Sequence, residues 1–381
     1  MKNSTICWLS LLLIAGSTSA AQPRILPPPY TACNGGALVQ QASQYHFDAC
    51  HTGFNPNETV LSPSTVPNLV LNWQYDTDGY TGSSPAVANG VVYAAGPNGI
   101  YAFYANTGGI KWNDVIVPLY SSPAVANGIV YVSNDSNVYA LNAANGAQVW
   151  TYATPYLTTA QTVANGLVYF GSPFEGAVYA LNASTGTLVW KVAAVIFDTP
   201  AVANGLVYFG AQDGYAYALD AQTGALAWKT ATVSGGAAAP AVDNGIVYVG
   251  AGAYIFAMDA RTGALLWMNG YGGGTPSVTH GMLYAAANGA AVALDALTGA
   301  LRWSTRIEGQ ISAPPSVANG VVYIGSGNAL LVALDAATGT LLWQYAMNAP
   351  NVPAVADGWL YDTANAGAGG VYAFHLPSGD K

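Results

Sequence analysis

The chain has 381 residues, of which 52% are hydrophobic and only 7% charged, with a formal net charge of −9. Typical soluble domains are about 25% charged, and an acidic chain without a basic run excludes the electrostatics of nucleic-acid binding. Its 44 Gly and 25 Tyr suit a turn-rich β protein rather than a helical one.

Residues 1–20 read as an export signal. Lys2 supplies positive charge, Trp8 to Ala15 form a short apolar core, and "STSA" at 17–20 offers small residues for cleavage after Ala20. That core is too short to span a bilayer. No Cys follows it where a lipid would attach, and no later stretch reads as a transmembrane helix. An exported chain, periplasmic or secreted, without membrane insertion is the expectation. Removing residues 1–20 takes away Lys2 and no acid, leaving 8 basic and 18 acidic residues, net −10.

Residues 21–66 form an N-terminal extension. Cys33 and Cys50 are its only cysteines, and in an oxidising compartment they are expected to pair as a disulfide. "FDACH" at 47–51 resembles half of a haem-attachment sequence, but Phe47 stands where the first Cys belongs.

From residue 67 onward the chain repeats itself. Trp recurs at 73, 112, 150, 190, 228, 267, 303 and 343, in steps of 36 to 40 residues. A Gly stands four residues before each Trp except the first, as in "LNASTGTLVW" at 181–190. A second marker runs in phase with it eight times, from "SPAVANG" at 84–90 to "VPAVADG" at 352–358, each followed three residues later by a Tyr. Each unit reads as four short strands. "PAVA" comes first, "NG" is a hairpin turn in which both residues tolerate positive φ, and "VVYAAG"-like and "VYALN"-like strands follow. A turn capped by the Asn or Asp at 142, 182, 220, 259, 295 or 335 then leads to the Trp strand. Four strands in about 38 residues make a propeller blade. The first strand, all small residues, belongs nearest the axis, and the Trp strand belongs outside.

The last unit ends at "VYAFHLPSG" without a Trp strand, whereas "LVLNWQY" at 69–75 is a Trp strand without a blade. The expected fold is therefore all-β, an eight-bladed β-propeller of four-stranded antiparallel blades over residues 67–381. The strand around Trp73 completes the last blade and closes the ring. Such a ring leaves no open sheet edge at its ends, and a monomer is expected.

On "ALDAQTGALAW" at 218–228 and "ALDAATGTLLW" at 333–343 the chain resembles the quinoprotein-like (PQQ-like repeat) propeller family. The resemblance implies two functions. Quinoprotein alcohol dehydrogenases bind pyrroloquinoline quinone (PQQ) and Ca²⁺ at the centre, whereas BamB-type propellers are non-enzymatic assembly scaffolds. The dehydrogenase site wants cations for three quinone carboxylates, an oxygen cage for the metal, a carboxylate base and adjacent cysteines. This chain has no Cys after Cys50, and Lys111, Lys191, Lys229 and Arg302 flank the outer Trp residues. No catalytic residue and no metal ligand are assigned, and a non-catalytic binding or assembly scaffold is the leading reading. A PQQ-dependent oxidoreductase and a carbohydrate- or polymer-binding module are the alternatives.

Ligands of propellers meet the loops that join one blade's outer strand to the next blade's inner strand. Here those loops hold Tyr80, Tyr120, Tyr156, Phe197 and Tyr271, a candidate aromatic collar, with Asp198, Arg306 and Glu308 as charged members. Arg306 is expected in a loop, close to the channel mouth. Such a collar suits a protein or glycan partner. "DTDG" at 76–79 lacks the distal acid of a calcium loop and reads as a turn. The four His residues, 46, 51, 280 and 375, form no catalytic constellation, and His280 fills the Asn slot of a hairpin.

Overall fold

The computed structural model describes residues 44–79, 81–116, 121–233, 237–287, 289–309, 311, 313–327, 329–364 and 369–377. The signal segment, Cys33, Tyr80 and Tyr120 lie outside the described residues. All the described residues belong to one compact unit.

The repeat folds as its spacing predicts. Blade 1 comprises Ala86–Ala88, Val91–Gly96, Gly99–Tyr104 and Ile110–Asp114, and six further blades follow in the same antiparallel order. In blade 8 the strands Ala354–Ala356, Trp359–Ala364 and Gly370–His375 are completed by Val70–Tyr75, with Trp73 opposite Ala373 and Gln74 opposite Tyr372. The N-terminal strand thus closes the ring. The inner strands touch their neighbours all the way round, blade 8 against blade 1 included.

Local chemistry dictates each corner. The first residue of every inner hairpin turn is Asn, His280 or Asp357, at φ between 42° and 54°, and a Gly with positive φ follows it. That pair of conformations is a type I′ turn, whose twist matches the flanking strands. In the outer turn Asp220 Oδ1 accepts from the backbone N–H of Gln222 and Thr223 and from the Thr223 hydroxyl, at 2.8–3.1 Å. Gly186 closes the corresponding turn of blade 3 at φ +70°, and a Cβ there would stand 2.7 Å from the ring of Trp150 in blade 2.

That contact is the junction between blades. The Trp150 indole N–H donates to the carbonyl of Ala183 in the next blade at 2.9 Å, and the Tyr131 hydroxyl donates to the same oxygen at 3.1 Å. The pattern recurs at most junctions, for example Trp228 and Tyr208 on Ala260. Eight apolar clusters result, one at each interface between neighbouring blades. Burying these faces against one another is the main driving force of the ring.

Residues 44–58 run through the middle of it. The centre of each inner strand is a Val whose backbone faces the axis, and the segment meets six of the eight. Val163 N–H donates to Gln44 Oε1 at 2.9 Å, Val202 to the Ala49 carbonyl at 2.6 Å and Val242 to the Cys50 carbonyl at 2.9 Å. Val278 donates to Thr52 at 2.8 Å and Val317 to Gly53 at 2.7 Å, while Asn55 Nδ2 donates to the Val355 carbonyl at 2.7 Å. Phe54–Asn55 adds a short parallel strand to the inner edge of blade 7. These bonds satisfy inner-edge groups that would otherwise face an open channel.

Candidate functional site

The face carrying the inter-blade loops is the mouth of the channel, and the threaded segment forms its floor. A cavity of about 230 Å³ opens there, lined by Tyr45 of the segment, Asp198, Ala238, Gly274, Thr275 and Ile311 among others. Four successive inter-blade connections supply its walls. Their small residues leave the space: a Cβ on Gly274 would meet no atom within 4 Å. The Asp198 carboxylate accepts from Thr199 N–H at 2.9 Å and from the backbone of Ala239, and burial pushes its pKa above the usual carboxylate range. Burial also raises the Tyr45 hydroxyl, and the charge of Asp198 raises it further. The cavity lining contains one carboxylate, two hydroxyls and no Lys or Arg.

Of the residues expected at the mouth, Asp198 lines this cavity. Tyr156, Phe197 and Tyr271 stand in the loops at 50%, 56% and 39% exposure, with no ring-to-ring contact joining them among the described residues. Arg306 is not a loop residue. It is the last residue of the outer strand Leu301–Arg306, paired with Ala290, because this outer strand, like those of four other blades, runs three residues past its Trp. That places it at the periphery rather than the mouth. Glu308 is exposed, and its backbone carbonyl, not its carboxylate, accepts from the Ser326 hydroxyl at 2.5 Å. Tyr45 was not anticipated, since nothing in its surroundings marks it as a channel residue.

The inside of the segment is polar and buried. His46 Nδ1 lies 2.7 Å from the His51 carbonyl, and its Nε2 lies 3.0 Å from the Pro315 carbonyl and 3.1 Å from Ser277 Oγ. His51 Nε2 meets Thr162 Oγ1 at 3.0 Å, and Thr162 in turn donates to Pro200. Burial lowers His46 to about 4 and His51 to about 3, and it raises Asp48 to about 6 although Thr52 donates to it twice. Cys50 is buried between blades 4 and 5.

A quinone and Ca²⁺ at the axis can be tested against these residues. The space left between the segment and blades 1, 7 and 8 is about 20 Å³, room for one water. No cation lines that space or the mouth cavity. Among the described residues no three His, Cys, Asp or Glu stand together as a metal site. Among the described residues, those lining these two spaces do not supply the cations and the oxygen cage that the pair wants.

Ring, repeat and junctions together define a PQQ-like repeat propeller. The family model described as outer membrane protein assembly factor BamB matches residues 70–192 and 251–381, roughly two thirds of the sequence, and the chain belongs to that family. No curated protein matches it by sequence. Among solved structures it is similar to BamB from Moraxella catarrhalis, with a TM-score of 0.69 and 18% identity over 82% of this chain and 99% of that one. It is also similar to the quinohemoprotein alcohol dehydrogenase from Comamonas testosteroni, with a TM-score of 0.76 and 16% identity over 91% and 82%. A europium-containing methanol dehydrogenase gives a TM-score of 0.77 and 14% identity over 89% and 98%. At these identities the likeness is one of fold, which scaffolds and enzymes share.

Proposed function

We propose that this chain is an exported, non-catalytic scaffold that binds a protein partner on the loop face of its propeller. The observation that carries the reading is the threaded segment: residues 44–55 occupy the axis and hydrogen-bond six inner strands. Where a central cofactor would sit, the chain has put its own backbone. What remains for recognition is the loop face with its exposed Phe197 and Tyr271 and the cavity lined by Asp198. The family's description as an outer membrane protein assembly factor is consistent with this role. The proposal includes the signal peptide at 1–20, the extension at 21–66, a Cys33–Cys50 disulfide and a monomeric state.

Adding PQQ and Ca²⁺ to the purified chain tests the reading. The expected outcome is no change in melting temperature and no dye reduction with an alcohol substrate. A saturable rise in melting temperature, with turnover, replaces the scaffold by an oxidoreductase.

A further inference from the structure

We infer that the mouth cavity is a socket for a primary ammonium group, the end of a lysine side chain presented by the partner protein. The inference rests on the scaffold reading and gives it a chemistry. An ammonium carries three N–H donors and no acceptor. The cavity offers three side-chain acceptor groups, the Asp198 carboxylate and the hydroxyls of Tyr45 and Thr275, which are bonded to each other. Its lining contains no positive group that would neutralise Asp198 internally. The carboxylate is held in place by two backbone donors, so it is oriented before any ligand arrives.

The walls suit the stem of such a side chain. Ala238, Ala286, Ala313 and Ile311 present methyl groups to the space, and about 230 Å³ accommodates a four-carbon chain with its head group. Phe197 is next to Asp198 in sequence, Tyr271 is three residues before Gly274, and both are exposed. Neither ring lines the cavity itself, but exposed aromatic faces on the same loops attract cations. The net charge of −9 draws a basic partner from a distance.

The experiment uses the full chain and three probes in calorimetric titrations: Nα-acetyl-lysine methylamide, its norleucine analogue, which lacks the ammonium, and maltose as a neutral polyol. The expected result is saturable, weak binding of the lysine amide alone. Asp198→Asn should weaken it by at least about tenfold, the effect of losing one charge-assisted contact. Gly274→Val, which projects into open space, should abolish binding while leaving the melting temperature near that of the parent. Equal binding of the norleucine analogue, binding of maltose alone, or unchanged lysine-amide binding in both variants overturns the inference. The two readings fail separately. Uptake of PQQ with turnover removes the scaffold itself, whereas absence of both PQQ and lysine-amide binding removes only the socket.

Discussion

At the scale of single residues, one tyrosine breaks the pattern. Seven of the eight Tyr residues of the second strands donate to a carbonyl of the neighbouring blade, for example Tyr248 to Ala296 at 3.1 Å. Tyr323 is equally buried, and its hydroxyl has no partner. The reason is where the chain is cut. Blade 8 is made of the two ends of the propeller, so it lacks the outer turn whose carbonyl serves the other junctions. Leu69 takes over that role for Trp343 at 3.1 Å, and nothing takes it over for Tyr323. Removing an unsatisfied buried hydroxyl is near neutral or favourable, whereas removing a bonded one costs about 0.5–1.5 kcal/mol. Chemical denaturation of Tyr323→Phe and Tyr248→Phe should therefore show the first at or above parental stability and the second below it. Equal losses in both would mean that Tyr323 is bonded after all.

At the scale of an element, the threaded segment is the part sensitive to acid. His46 and His51 are held neutral by burial, at about 4 and about 3, while in the unfolded chain they protonate near 6.5. Between those values the unfolded chain binds protons that the folded chain does not, so stability is lost as pH falls below about 6.5. Asp48, raised to about 6, acts in the opposite sense, favouring the fold as pH falls from 6 towards 4. Each tenfold difference in proton affinity is worth about 1.4 kcal/mol, and two histidines outweigh one carboxylate. Relative to the parent, His51→Gln should lose less stability between pH 7 and pH 4.5 in chemical denaturation, even if it lowers stability throughout. A variant that keeps the full pH slope would contradict the assignment.

The same segment marks the limit of what the sequence made legible. The blades could be counted because Trp, Gly and Asn–Gly recur in phase, and each of those residue types is demanded by a specific conformation or contact. "QYHFDACHTGFN" has no period, and it holds its partners mainly through backbone carbonyls, which any residue supplies. Its contacts lie 111 to 300 positions away, beyond the reach of local pattern. Arg306 was misplaced for a related reason. The two or three residues after each outer Trp continue the strand, but their side chains are mostly exposed and nothing in their identity says where pairing ends. Asp198 stands at the cavity because its loop position follows from the blade count alone.

At the scale of the whole molecule, the ring stands on one junction between sequence ends. Trp73 belongs to blade 8, donates to Ala105 of blade 1 at 2.9 Å and lies against Gly108 and Phe103. It therefore bears both on the interface of blades 8 and 1 and on the pairing, within blade 8, of the first propeller strand with the last, which no covalent connection orders. Trp73→Ala should cost about 3–5 kcal/mol, as for other large core truncations, and should lower the melting temperature of the entire ring in a single transition. A loss confined to a fraction of the signal would indicate blades that unfold independently of closure.

The path of residues 44–58 also bears on how the molecule comes to exist. They leave the ribosome before any blade, yet Asn55 and Glu58 each have a partner three hundred residues later, in Val355 and Gly358. Contacts of such sequence separation are slow to form. The earliest part of the domain to be synthesised must wait, unpaired, while the wheel is built around it. Translation halted short of Gly358 should leave a product with a hollow hub and a loose leader, open to proteases at the very residues the finished protein guards best.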